Sequence, residues 1–303
     1  MISIISAPTH LGLRPPEPGG VPGTAKAPEA LREAGLHRRL AALGARDAGV
    51  VLPGRYVDDD GSRPSDRVRN EQAMVDHARR LATRTRAVLD DGAFPLILGG
   101  DCSVILGVGV ALSDVGRVGL VHLDGHTDFR HPGNSDAVAS VAGEDLAAAV
   151  GLHRPAISDI DGRGPYFDAA RTAHIGCRDD DEEAAEAAAV LGRVIPASLA
   201  RERGMPATAD DARSAAGDRF WLQLDVDILD PRWMPAVDSA DPGGLDPDEL
   251  LTLLRALLPG AVGLSVTIYD PDLDPGGACA ALLVDLLVAA LDPAGPSAGR
   301  WTA

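Results

Sequence analysis

Residues 118–128 read Val118-Gly119-Leu120-Val121-His122-Leu123-Asp124-Gly125-His126-Thr127-Asp128, an apolar run that gives way abruptly to alternating acid and imidazole side chains. The apolar part has the length and composition of a strand buried on both faces. Alternate residues of an extended chain end share one face, so Asp124, His126 and Asp128 can aim at a single point. Two other segments have the same form: residues 94–98 lead into Gly99-Gly100-Asp101-Cys102-Ser103, and residues 220–224 into Asp225-Val226-Asp227. Cys102, Asp124, His126, Asp128, Asp225 and Asp227 together form a set of six ligand side chains. Carboxylates crowded in a dry crevice cannot all stay ionised without cations, so their density argues for bound metal, and their number for two ions sharing carboxylates.

Working outward, short apolar runs at residues 2–7, 49–52, 94–98, 118–123, 172–175, 193–195, 220–224 and 262–267 predict eight strands. Helical spacing at 27–43, 67–90, 182–191 and 247–258 falls between them, and another helix is expected to begin after Ser103. Such alternation predicts an α/β fold with a mostly parallel sheet and crossover helices. In these sheets ligands bind beyond the carboxyl ends of the strands, where all six proposed ligands lie. The Gly99-Gly100 pair is expected to let the chain turn sharply there. Residues 14–24 and 57–65 are expected as surface loops, either of which could border the mouth of the site. No internal repeat is visible.

Composition narrows the function classes. A formal net charge of −17 with one lysine, Lys26, disfavours a phosphate-backbone partner, which needs a basic stripe. A small-molecule substrate carrying some positive charge suits that balance better. Cys102, Cys177 and Cys279 are too few and scattered for a disulfide framework, and the chain opens without a charged-then-apolar leader, so a reduced, cytoplasmic protein is expected. The apolar stretch 278–291 is too short to cross a membrane and carries Asp285, which predicts a core helix instead. Its 303 residues, 45% of them hydrophobic, fit one α/β domain spanning 1–303.

At these residues the chain resembles the arginase and agmatinase (ureohydrolase) family. Gly99-Gly100-Asp101-Cys102-Ser103 resembles its Gly-Gly-Asp-His-Ser, Asp124-Gly125-His126-Thr127-Asp128 its Asp-Ala-His-x-Asp, and Asp225-Val226-Asp227-Ile228-Leu229-Asp230-Pro231 its Asp-x-Asp-x-x-Asp-Pro. Asp241-Pro242-Gly243-Gly244-Leu245 is similar to its Pro-Gly-Gly-Leu turn. The resemblance implies a three-layer α/β/α metallohydrolase domain, assembled as a trimer or hexamer. It also implies one ion held by Cys102, Asp124, Asp128 and Asp225, and a second by Asp124, His126, Asp225 and Asp227. A water activated between two such ions would attack a planar carbon, with Asp128 orienting it. Manganese is the first expectation, and the soft thiolate of Cys102 brings zinc or iron into contention.

Three positions depart from the family pattern. Cys102 stands where histidine is usual, as it does in some ureohydrolases of specialised metabolism that act on a hydroxylated arginine. Ile268-Tyr269-Asp270-Pro271 stands in place of Glu-x-Asn-Pro, whose glutamate grips a guanidinium, with Asp270 as a candidate replacement. Residues 138–145 match a segment that carries a proton-shuttling histidine, and Ala142 occupies its place, leaving His131 and Glu144 as candidate stand-ins. Ile175-Gly176-Cys177-Arg178-Asp179-Asp180-Asp181 resembles a stretch whose last aspartate approaches a substrate amino group, so Asp181 is a candidate ammonium site. His122 reads as a hydrogen-bonded core histidine. These features predict hydrolysis of a linear, non-peptide C–N bond in an amidine, a modified guanidine or an amide. An agmatinase-like guanidine hydrolase and a catalytically silent, metal-retaining binding protein are the alternatives.

Overall fold

The computed structural model describes residues 1–292, and the last eleven residues of the 1–303 domain expectation lie outside them. Eight strands form one sheet: β1 Ile2–Ala7, β2 Arg46–Val50, β3 Phe94–Gly99, β4 Gly119–Leu123, β5 Thr172–Ile175, β6 Arg193–Ile195, β7 Phe220–Asp225 and β8 Ala261–Thr267. Their order is β2-β1-β3-β8-β7-β4-β5-β6, and every pairing is parallel rather than most of them. Because strand side chains alternate, each inner strand feeds two cores. Leu96, Leu98, Leu222 and Leu224 pack into one, with helices Met205–Ala216, Pro247–Leu257 and Ala278–Leu291. Ile97, Leu120 and Trp221 pack into the other, with helices Glu71–Asp90 and Val104–Leu112. Sheet and two helical faces make the three layers.

Local chemistry moved several boundaries. The helix expected over 27–43 is two, Ala27–Glu33 and Leu36–Ala42, separated at Gly35, whose φ of 99° no helix accommodates. The helix expected from 67 begins at Glu71, because Asn70 adopts φ 49° and its amide ties two loops, accepting from Val57 N and donating to Leu11 O. β2 lies earlier than residues 49–52, although Val51 N still donates to Ser6 O. Helices Ala197–Arg203 and Met205–Ala216 were not anticipated; proline near each N-terminus and Gly204 between them were the available signals. The helix Pro247–Leu257 starts on a reciprocal cap, Asp246 accepting from Glu249 N and Glu249 from Asp246 N. Ala278–Leu291 is a core helix, and no helix among the described residues is long and apolar enough to cross a membrane.

The strand order decides where the chemistry sits. Between β3 and β4 the chain skips two places, later filled by β8 and β7, so β3, β8, β7 and β4 stand side by side. Leu98, Val266, Leu224 and Leu123 share one row across these four strands. The residues just beyond that row belong to the ligand segments. A Cβ on Gly100 would fall on the Thr9 carbonyl oxygen, so close approach of backbone explains the glycine there.

Candidate metal centre

The ligand segments converge at the carboxyl ends of β3, β7 and β4. Cys102, Asp124 and Asp128 offer ligand atoms that all lie within 4.8 Å of one another, and so do Asp124, His126 and Asp227. Asp124 is common to both groups. Asp225 joins the first from the side, its Oδ2 lying 2.8 Å from Cys102 Sγ, while Thr267 Oγ1 is 3.2 Å from the same sulfur. His126 Nδ1 lies 2.8 Å from Asp227 Oδ2 in the second. Backbone amides pin the carboxylates: His126 N donates to Asp124 Oδ1, Gly125 N to Asp227 Oδ1 and Asp227 N to Asp225 Oδ1. The segment after β4 is not extended throughout, since Asp128 sits at φ 46°, in the left-handed region that a non-glycine residue adopts at a cost.

Electrostatics divide the cluster. Burial, followed by the neighbouring negative charges, pushes Asp124 well above the usual carboxylate range. Asp128 is raised by burial and by the charge of Asp145 beside it, and Asp225 by burial and the charge of Asp227. Burial and then Asp225 push the Cys102 thiol up as well. On the other side, burial opposes both charges of the His126–Asp227 pair, yet their contact holds Asp227 below its usual value and lifts His126 to about 10. Asp124 Oδ2 is buried with no hydrogen-bond partner, which leaves its lone pairs open to a cation. Hard oxygen donors, one imidazole and one thiol suit a divalent transition metal, so the residues fit the ions that their spacing suggested.

The fold agrees with comparisons to known proteins. The family profile described as Arginase family matches residues 2–291. The chain is 30% identical to an arginase of Brevibacillus brevis over 255 residues, 80% of this chain and 81% of that one. It is 32% identical to a guanidinopropionase of Pseudomonas aeruginosa over 236 residues, 74% of this chain and 67% of that one. The native structure of arginase from Bacillus caldovelox matches at a TM-score of 0.84 and 28% identity, over 95% of this chain and 96% of that one. The chain belongs to the arginase family. As an arginase-family member it is a metal-dependent hydrolase acting on linear C–N bonds other than peptide bonds.

In this family member four of the six candidate ligands, His126, Asp128, Asp225 and Asp227, line a crevice of about 560 Å³. Ile268 and Ala142 form an apolar part of its wall, and Asp181, Glu183, Asp238 and Asp241 an acidic part. Ile268 is 3% exposed and held at φ 74°, with its amide donating to Gly100 O at 2.7 Å. A β-branched residue there carries roughly 1–3 kcal/mol of backbone strain. Asp181 lines the crevice while accepting from Thr127 N at 2.8 Å and Thr127 Oγ1 at 2.6 Å, which braces the Asp124–Asp128 segment. The loop expected at 14–24 does border the mouth, through Arg14, whereas no residue of 57–65 lines it.

The remaining candidates are not brought into the crevice. Asp270 turns away, accepting from Gly23 N at 3.1 Å and from Asp272 N at 2.9 Å. His131 contacts Glu186 at 3.1 Å through Nε2 and accepts from Gly133 N through Nδ1, closing a loop outside the cavity. Glu144 is fully buried, and its oxygens are taken by Ala139 N, Ser140 N and His153 Nε2, so it fastens its own loop. Two residues went unnoticed in the sequence. Arg130 lines the cavity two positions after Asp128, on the same alternation. Asp145, next to Glu144 in the segment carrying Ala142, is fully buried near Asp128; an acid in an otherwise apolar helix start was the available signal.

Proposed function

We propose that this arginase-family chain, with residues 1–303 as one domain, hydrolyses an amidine, a modified guanidine such as a hydroxyguanidine, or an amide, and that it works with two manganese ions. Cys102, Asp124, Asp128 and Asp225 would hold one ion, and Asp124, His126, Asp225 and Asp227 the other. When bound, the ions supply Lewis acidity that makes water nucleophilic near neutral pH. Asp128 would orient the attacking water by accepting one of its protons. The substrate's reacting carbon would pack against Ile268, and a distal ammonium would face Asp181 across the acidic wall. The observation that carries this reading is Ile268: a guanidinium with its five donors needs a facing carboxylate, and the buried alkyl group there offers neither charge nor acceptors. A cytoplasmic homo-oligomer, trimer or hexamer, completes the reading, supported by three unpaired cysteines and by the family resemblance.

The test is a screen of purified, manganese-loaded protein for release of urea, hydroxyurea or ammonia. Turnover of an amidine, hydroxyguanidine or amide above that of arginine and agmatine is expected. In Ile268→Glu a gain of guanidinium affinity of about 1.5–3 kcal/mol is expected, the worth of a charged hydrogen bond. Faster turnover of arginine or agmatine by the unaltered chain would replace this reading with ordinary guanidine hydrolysis. Silence on every compound with both ions verified would replace it with a binding role.

A further inference from the structure

His122 in β4 and His174 in β5 face each other across the sheet, both fully buried, with their Nδ1 atoms 3.0 Å apart. That contact occupies the Nδ1 edge of His122 and leaves Nε2 pointing at the back of the ligand cluster. There it lies 3.5 Å from Asp145 Oδ2 and 3.7 Å from Asp124 Oδ2. His122 Nε2 and Asp124 Oδ2 have no other hydrogen-bond partner, while the Asp145 carboxyl also lies within reach of that of Asp128. Unpartnered polar atoms in a dry interior are costly, and here they converge on one another. Once a cation holds Asp124 as an anion, its oxygens offer only acceptors, so the ring nitrogen facing them is the one that carries hydrogen, and Nδ1 then accepts from His174.

We propose that His122 is a positioning residue of the metal centre: its Nε2–H donates to Asp124 and Asp145 from behind, steadying the shared ligand Asp124 and, through Asp145, the adjacent Asp128. The inference rests on the metal-site reading given under Proposed function. It resembles the outer contacts that orient metal ligands generally, with histidine and carboxylate in exchanged roles.

Manganese titration calorimetry with ion counting tests it. In His122→Phe the affinity for one ion is expected to fall roughly 10–100-fold, the usual cost of losing such a partner. His122→Gln, whose amide nitrogen stands near the Nε2 position, is expected to retain most of the affinity. Nitrogen-detected imidazole spectra of the unaltered protein, loaded with diamagnetic zinc in place of manganese, are expected to show hydrogen on His122 Nε2. Unchanged affinity in the Phe variant, equal losses in the Phe and Gln variants, or a bare Nε2 would each overturn the proposal. If the unaltered chain takes up no manganese, the metal reading fails instead, and the imidazole spectrum still decides whether His122 donates.

Discussion

The two halves of the ligand cluster lie on one sheet edge, yet they behave as different electrostatic objects. The half around Cys102, Asp124, Asp128 and Asp225 holds acid groups raised well above their ordinary values, chiefly because burial removes water without offering a cation. The half around His126 and Asp227 compensates itself, the imidazole lifted to about 10 and the carboxylate held low by their contact. The first half would become a set of anions on taking up a metal, whereas the second already contains a positive charge that an incoming ion would displace. Burial alone does not decide ionisation; the nearest partner does.

The comparison can be broken most forcefully at the residue both halves share. Asp124→Asn should abolish stable loading of both ions and lower kcat/KM by roughly 10³-fold, about 4 kcal/mol of transition-state stabilisation. Ion counting beside steady-state rates would check this, and two retained ions would show that Asp124 is not common to both.

A second expectation concerns pH in the metal-free protein. Asp124, Asp128, Asp145 and Asp225 have folded values raised from 3.8, so their contribution to stability is complete below that pH and is lost as pH rises through the raised values. Asp227 works oppositely, its contribution present above 3.8 and lost on acidification. His126, raised from 6.5 to about 10, contributes fully below 6.5 and loses that contribution as pH rises through about 10. Buried His122 and His174, lowered from 6.5, oppose this trend on the acid side, so the fall in melting temperature without metal should be read from about pH 6.5 to about pH 10, where His126 loses its contribution, and with saturating manganese the trend should flatten or reverse because ion uptake releases protons. Thermal unfolding at stepped pH, with and without metal, measures both slopes. Parallel slopes would refute the division between the halves.

Smaller effects sharpen it. Cys102→His should shift competition between manganese and zinc toward manganese on the order of 10-fold, because an imidazole is a harder donor than a thiolate. Smallest of all is Asp241→Asn, which removes the acid 3.0 Å from His126 Nε2. That carboxylate is 61% exposed, so the loss of ion affinity should stay under about 1 kcal/mol.

The apolar runs before Asp124 and Asp225 made the strands legible, since only a strand buried on both faces presents so continuous an apolar run that ends on charge. Alternation along Asp124-Gly125-His126-Thr127-Asp128 made the ligand types legible for the same reason. The stand-ins were not legible. Glu144 and Asp145 are neighbours of similar chemistry, and nothing in their order says that backbone amides and His153 occupy the first while the second is left facing Asp128. His131 and Asp270 likewise had suitable side chains and unsuitable surroundings.

Residue identity and spacing by themselves determined the alternation of strands and helices and named six candidate ligand side chains, while the resemblance of the motifs pointed to the family and to Ile268 in place of a guanidinium-gripping carboxylate. Tertiary structure alone decided that β8 and β7 enter between β3 and β4, which brings Cys102, Ile268, Asp225 and Asp124 to one edge, and that His122 looks at the back of the cluster. The physical reason is range. Local periodicity is written into neighbouring residues, whereas the partner of a buried polar atom is fixed by packing between segments far apart in the chain.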